Sequence, residues 1–226
     1  MGVVFALFMM YWGRKSRLSH LDENGSCIDA AFSEISGHGI QTTKIKRLST
    51  SLTPFGYVTE SKEINGANNA ACSLVESDVC NDRYLKEYLL RDGKFDAITV
   101  WLVGTHMMRQ FNATIAKQTW IQNDVGMRLF VQNSVYELAD ELLRPGGTLQ
   151  IIDRGEVPST DELRADFINA HKDQASVTSL NVADLSYLIY EEPEGNYMPM
   201  KVSSGTSGRT PDMSQRAFIS VVSVKP

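Results

Sequence analysis

The stretch Phe95-Asp-Ala-Ile-Thr-Val-Trp-Leu-Val-Gly104 is apolar, rich in β-branched and aromatic residues, and lacks polar alternation. A strand buried on both faces reads this way, and such strands belong to parallel sheets covered by helices. Downstream, Thr148-Leu-Gln-Ile-Ile-Asp153 reads as a second strand, preceded by the turn signal Pro145-Gly146-Gly147. Between the two, Val131, Val135, Leu138 and Leu142 recur at spacings of four, three and four, the apolar stripe of a helix. Strand, helix, glycine-rich turn and strand in that order predict a right-handed βαβ unit.

Working outward, Ser159-Thr-Asp-Glu162 is a capping-box pattern that opens a helix running to about His171. Ala217–Val224 is strongly strand-forming and is expected to pair, as a long hairpin, with Tyr197–Val202 across the polar loop Ser203–Asp212. Upstream, Phe55–Glu60 and Cys72–Val79 read as short strands, each ending in acid. Ile28–Ser36 is a weaker strand candidate, because its alanine-rich start suits a helix equally well. Gln41–Ser51 is expected to be a helix after it. The pattern predicts an α/β fold of three layers, with a mainly parallel sheet and an antiparallel edge.

The chain has 226 residues, 42% of them hydrophobic, enough for one sizeable core and too apolar for a disordered chain. Its net charge of −5 makes it a poor default binder of a phosphate backbone, so no nucleic-acid partner is expected. The three cysteines, Cys27, Cys72 and Cys80, are odd in number and form no CxxC pair. That argues against a disulfide framework and a thiolate metal site, and for a reducing, cytoplasmic location. The apolar run Val3–Trp12 is too short to span a bilayer as a helix, and its basic residues follow it, unlike those of a signal peptide. It reads as a packing helix or strand.

In such a sheet, ligands bind at the carboxyl ends of strands, where the strand order switches. The candidate strand ends carry Glu34-Ile-Ser-Gly37-His38-Gly39, then Glu60, then Asp78-Val79, then Trp101 to His106. Glycines let the backbone turn and approach a ligand, and an acid can accept hydrogen bonds from both ribose hydroxyls.

With these residues the chain resembles the class I S-adenosylmethionine-dependent methyltransferases. In that family an acid and a Gly-x-Gly-x-Gly loop follow the first strand, an acid ends the second, and another lies near the end of the third. Leu143-Arg144-Pro145-Gly146-Gly147-Thr148-Leu149 matches the phrase preceding the family's fifth strand, and Lys94-Phe95-Asp96-Ala97-Ile98 resembles the approach to its fourth. The resemblance covers Ile28 to Asp153, and the closing hairpin extends it to the C-terminus. It implies a Rossmann-like methyltransferase fold over residues 26–226, with residues 1–25 as an extension that can cover the cofactor. It also implies S-adenosyl-L-methionine as cofactor and an O, N or C nucleophile on a small-molecule acceptor.

Glu34, Gly37, Gly39, Glu60, Asp78 and Val79 are then the cofactor-binding candidates. His106 is the candidate base, and Trp101, Gly104 and Met107 are candidates for the acceptor pocket. Ser36 stands where the family has its first glycine, and the loop is one residue short. That departure is the feature favouring the alternative, a catalytically inactive methyltransferase-like binding or scaffold module. A nicotinamide-dependent oxidoreductase is disfavoured, because Gly37-His-Gly39-Ile-Gln-Thr42 lacks the third glycine of the dinucleotide fingerprint.

Overall fold

The computed structural model describes residues 5–12, 15–54, 56–63, 70–91, 93–101, 124–191 and 215–226. The elements in these segments are β1 (Phe5–Trp12), β2 (Lys15–Asp22), α1 (Gly25–Gly37), β3 (Thr42–Lys46), β4 (Leu48–Thr53), β5 (Gly56–Ser61), β6 (Cys72–Glu76), α2 (Leu85–Leu90), β7 (Phe95–Trp101), α3 (Asp124–Leu142), β8 (Leu143–Glu156), α4 (Asp161–Ala175), β9 (Asn181–Tyr190) and β10 (Arg216–Val224). Eight strands form one sheet in the order β3-β6-β2-β1-β7-β8-β10-β9, while β4 and β5 form a separate hairpin.

The architecture is mixed α/β. Within the large sheet β3, β6, β2, β7, β8 and β9 run one way, and β1 and β10 run against them. Neighbours therefore pair in both senses. The pairs β2–β6, β3–β6 and β7–β8 are parallel, and the pairs involving β1 or β10 are antiparallel.

Side-chain alternation assigns the helices to the faces. Leu21, Val75, Ile98, Val100, Leu149 and Ile151 join the main core with residues of α2 and α3. Their neighbours Cys72 and Leu74 instead pack with Ile28, and with Phe32 and Ile35, on α1. Successive residues of a strand point to opposite faces, so α1 lies on one face and α2 and α3 on the other. A buried polar cluster ties the second layer together, since the Tyr136 hydroxyl of α3 meets Nδ1 of His171 on α4 at 2.9 Å and Ser223 on β10 at 3.4 Å. Burial holds His171 down to about 4 and pushes Tyr136 up to about 12, so both are neutral near pH 7.

The strand, helix, strand order read from Phe95 to Asp153 is present, but the expected turn Pro145–Gly147 falls within β8, which begins at Leu143. β7 and β8 pair in parallel, and Val131, Val135 and Leu142 are buried between them and α3. The cap of α4 falls one residue later than expected, at Thr160, whose hydroxyl accepts from the Leu163 N–H at 3.2 Å, and the helix continues to Ala175.

Four expectations are corrected. Ile28–Ser36 is helical, because Ile28, Phe32 and Ile35 make a stripe with helical spacing. Gln41–Ser51 holds strands β3 and β4. The run expected as a packing helix or strand holds strand β1 over Phe5–Trp12, and because β1 and β2 pair with each other in the middle of the sheet they are no separable extension or lid. The strand that pairs with β10 on the side away from β8 is β9, not Tyr197–Val202, which lies outside the described residues together with the loop Ser203–Asp212.

The glycines near the start of β8 carry their own prediction. Gly146 has φ +78°, and a Cβ on Gly147 would lie 2.9 Å from the Arg144 carbonyl and 3.2 Å from that of Asp96. Both obstacles are backbone. Gly147→Ala is expected to lower unfolding free energy by about 1–3 kcal/mol in urea titrations.

Candidate functional site

The carboxyl ends of β2, β3, β6 and β7 share one rim. Asp22 pairs with Glu76, and Glu76 with Lys46. Across β1, Leu21 aligns with Ala6 and Ala6 with Val100, so Asp22 and Trp101 are the next residues of one lateral row. Two strand spacings separate them, about 10 Å. Since Leu21 and Val100 face the main core, Asp22 and Trp101 face the side on which α1 lies.

Asp22 is the most unusual group on this rim. It is 2% exposed, its Oδ1 accepts the Asn24 N–H at 2.8 Å, and its Oδ2 has no hydrogen-bond partner among the described residues. Burial pushes its carboxyl up to about 7 against the opposing Asn24 hydrogen bond, and the charge of Glu23 adds to the rise. Directly after it α1 begins. The Asn24 side chain accepts from the Ser26 N–H at 3.0 Å, fixing the helix start on the rim. Gly25 opens the helix, and a Cβ there would meet the Glu76 carboxylate at 3.3 Å. Glu76 is half-buried, with Lys46 Nζ at 3.8 Å. Burial raises its carboxyl, while Lys46 opposes the rise.

Next to it, Arg47 and Asp82 form a fully buried ion pair. Arg47 Nε and Nη2 donate to the two Asp82 oxygens at 2.6 and 3.0 Å, and Ser77 Oγ donates to Asp82 at 2.8 Å. Burial opposes ionisation of Asp82, but these donors hold its carboxyl below the usual range. The pair roots the β4–β5 hairpin, because the Arg47 carbonyl accepts from the Lys62 N–H at 2.8 Å.

The sequence-read candidates divide across the molecule. Glu34, Gly37 and Gly39 lie at the far end of α1, just before the amino end of β3, on the edge of the sheet opposite the rim. The expectation that they join Glu60 and Asp78 in one site is therefore corrected. Gly39, at φ +75°, lets the chain leave the helix, which is the ordinary use of a glycine there. Glu34 instead meets His38 at 3.2 Å on the exposed helix surface.

Asp78 does lie on the rim, after β6, but its oxygens accept from the Cys80 N–H at 2.9 Å and the Asn81 side chain at 2.7 Å, closing its own turn. Val79 packs partly against the main core. Glu60 is exposed on β5, opposite Ser49 near the base of the hairpin. Trp101 ends β7 on the rim. Gly104, His106 and Met107 lie outside the described residues.

Sequence reasoning missed Asp22 and Gly25 as site residues. The signal for them was Asp22-Glu-Asn-Gly-Ser26, an N-cap phrase directly after a strand.

Fold and rim together define a mixed α/β protein with an acid-lined edge at its strand ends. No protein-family pattern and no curated protein matches the sequence. Among the described residues no helix is long and apolar enough to cross a membrane.

Proposed function

We propose that the chain is an S-adenosylmethionine-dependent methyltransferase acting on a small-molecule acceptor, with a Rossmann-like organisation and its cofactor at the β2–β6 rim. The observation that carries this reading is the layout around β2. α1 leaves it on one face toward β6 and β3, while the connection to β8 through α3 lies on the other face, beside β7. Oppositely wound halves leave a crevice at the strand ends. The phrase Leu143–Leu149 opens β8 beside β7, and the antiparallel β10 pairs with β8 on its other side, which suits the resemblance.

The residues at the crevice suit this cofactor. Asp22 presents a buried oxygen with no partner among the described residues, on a rim where acids prevail, and a ligand bearing an ammonium and a sulfonium brings positive charge to it. Glu76 ends the strand beside β2, the place for an acid that accepts ribose hydroxyls. Gly25 admits close backbone approach at the start of α1. The cofactor, when bound, supplies a methyl group on a good leaving group. The work left to the chain is to align the acceptor with the S–CH₃ bond and exclude water. A dedicated base is needed only where the acceptor is protonated at working pH.

Isothermal titration with S-adenosylmethionine and S-adenosylhomocysteine tests the reading. Binding of both is expected, weakened at least tenfold by Asp22→Ala and by Glu76→Gln, and unchanged by Glu34→Gln at the opposite edge. No heat at high micromolar ligand overturns it. The second reading, an inactive binding module, is favoured by the placement of Gly37 and Gly39 away from the rim. Cofactor binding without turnover on any acceptor would select it.

A further inference from the structure

The surroundings of Asp22 leave its charge unanswered. The residue is buried, Oδ1 accepts the Asn24 N–H, and Oδ2 meets no partner among the described residues. On β2, His20 lies two residues back on the same face, and burial lowers it to about 4, so it is neutral above pH 6. Glu23 follows directly and adds negative charge. From β6, Glu76 stands in the same row, half-buried, with Lys46 of β3 as its own counter-charge at 3.8 Å. Further along, Asp29 of α1 and Lys44 of β3 pair with each other. From β1, the residues at this end are Phe5 and Ala6, and neither titrates. At the start of α1, Asn24 and Ser26 are neutral, and burial, then the Asp22 charge, raises the Cys27 thiol, which keeps its proton. A carboxyl so placed holds its proton into the neutral range, and burial is the first cause of its rise to about 7.

We propose that the rim takes up its ligand's ammonium in exchange for the Asp22 proton, so that pH gates its occupancy. The inference rests on the methyl-transfer reading for the identity of the ligand, and adds the regulation of that same site. A positive group beside Oδ2 favours the ionised carboxylate, so ammonium and proton compete for one oxygen. By linkage, binding releases a proton where the free protein still holds one, and releases none where Asp22 is already ionised. Affinity therefore rises as pH climbs through the Asp22 titration and levels off above it. With that titration at about 7, the carboxyl of the free protein is about one-tenth ionised at pH 6 and about nine-tenths at pH 8, a difference of about tenfold in apparent affinity. Acidification below neutrality unloads the rim.

The probes are S-adenosylhomocysteine and methylthioadenosine. They share the nucleoside and the sulfur, and only the first carries an ammonium and a carboxylate. Each is titrated calorimetrically at pH 6, 7 and 8, in pairs of buffers with different heats of ionisation. S-adenosylhomocysteine is expected to bind about tenfold more tightly at pH 8 than at pH 6, and to release about one proton per site at pH 6. Methylthioadenosine is expected to bind with one affinity throughout. Asp22→Asn keeps the acceptor for the Asn24 N–H, and is expected to flatten the S-adenosylhomocysteine profile and abolish the proton release. Glu76→Gln is expected to weaken both ligands and keep the slope. Unchanged circular dichroism shows that the variants fold. The proposal is overturned if the slope is absent, if it survives in Asp22→Asn, or if methylthioadenosine shares it. Affinity that falls as pH rises also overturns it, since the ligand's carboxylate then lies beside Asp22. Binding without the slope leaves the cofactor reading standing, whereas no heat from either ligand at any pH overturns both.

Discussion

Asp22→Asn is expected to stabilise the chain at pH 8 by about 2–4 kcal/mol and to leave its stability nearly unchanged at pH 4. In the folded protein the Asp22 carboxyl titrates at about 7, while an unfolded aspartate titrates near 4. Between those values the folded state keeps a proton that the unfolded state has lost, so stability falls as pH rises through this window. Three units correspond to at most about 4 kcal/mol. Asparagine keeps the side-chain oxygen that accepts the Asn24 N–H and removes the buried charge. His20 and His171 act with the opposite sign. Burial lowers both to about 4, so their contribution is present above about 6.5 and is lost as pH falls toward 4. The difference between variant and parent, taken from urea titrations at several pH values, cancels the histidines and isolates Asp22. A stabilisation of equal size at pH 4 and pH 8 would show that its ionisation is not the cause. Under the proposed reading, the rim retains this buried acid at a cost in stability because the ligand uses it.

What the sequence made legible was set by where burial writes a pattern. β7, α3 and β8 could be read because strands covered on both faces are continuously apolar and their connecting helix has a clear stripe. β9 could not, because Asn-Val-Ala-Asp-Leu-Ser lies on a sheet edge where side chains face solvent and the apolar signal fades. The N-terminal run looked like an appendage, since a buried strand and a short buried helix share one composition. Its place between β2 and β7 follows from long-range pairing that no local pattern encodes. Glycine drew the candidate site to the wrong end of α1 for it to share the rim with Asp78. Gly37 and Gly39 resemble a ligand loop in spacing, yet two glycines after an amphipathic stretch also end a helix. Once Ile28, Phe32 and Ile35 are read as one helical face, the start of that helix makes Asp22–Ser26 the candidate on the rim. Asp78 shows a different limit. Its position on the rim was legible, but the use of both its oxygens by its own turn was not.

Arg47→Met is expected to destabilise the chain by about 3–5 kcal/mol at pH 7, and much less near pH 3. The substitution removes both donors to Asp82 and leaves a carboxylate buried with only Ser77 Oγ and the Tyr84 N–H to answer it. Breaking one side of a buried ion pair costs this much because the remaining charge stays out of water. Asp82 then titrates upward in the variant, and at acid pH it takes a proton and the penalty shrinks. The parent behaves otherwise. Its Asp82 is held below the usual carboxylate range, so the pair's contribution persists above about pH 4 and is lost only as pH falls through the lowered value. The double variant Arg47→Met/Asp82→Asn should lose far less than the sum of its single changes, since asparagine keeps an acceptor for Ser77 and Tyr84 with no charge to desolvate. Additive losses, or a pH-independent deficit for Arg47→Met, would mean that packing of the Arg47 stem and its contact with Tyr88, at 4.8 Å from the ring, outweighs the charges. Hydrogen exchange gives the structural consequence. The Lys62 N–H binds the Arg47 carbonyl and Ser61 Oγ the Asn81 carbonyl, so loosening Arg47 frees the base of a hairpin that pairs with no other strand among the described residues. Amides of β4 and β5 should then lose protection before those of β6, because an isolated two-stranded hairpin has little stability of its own.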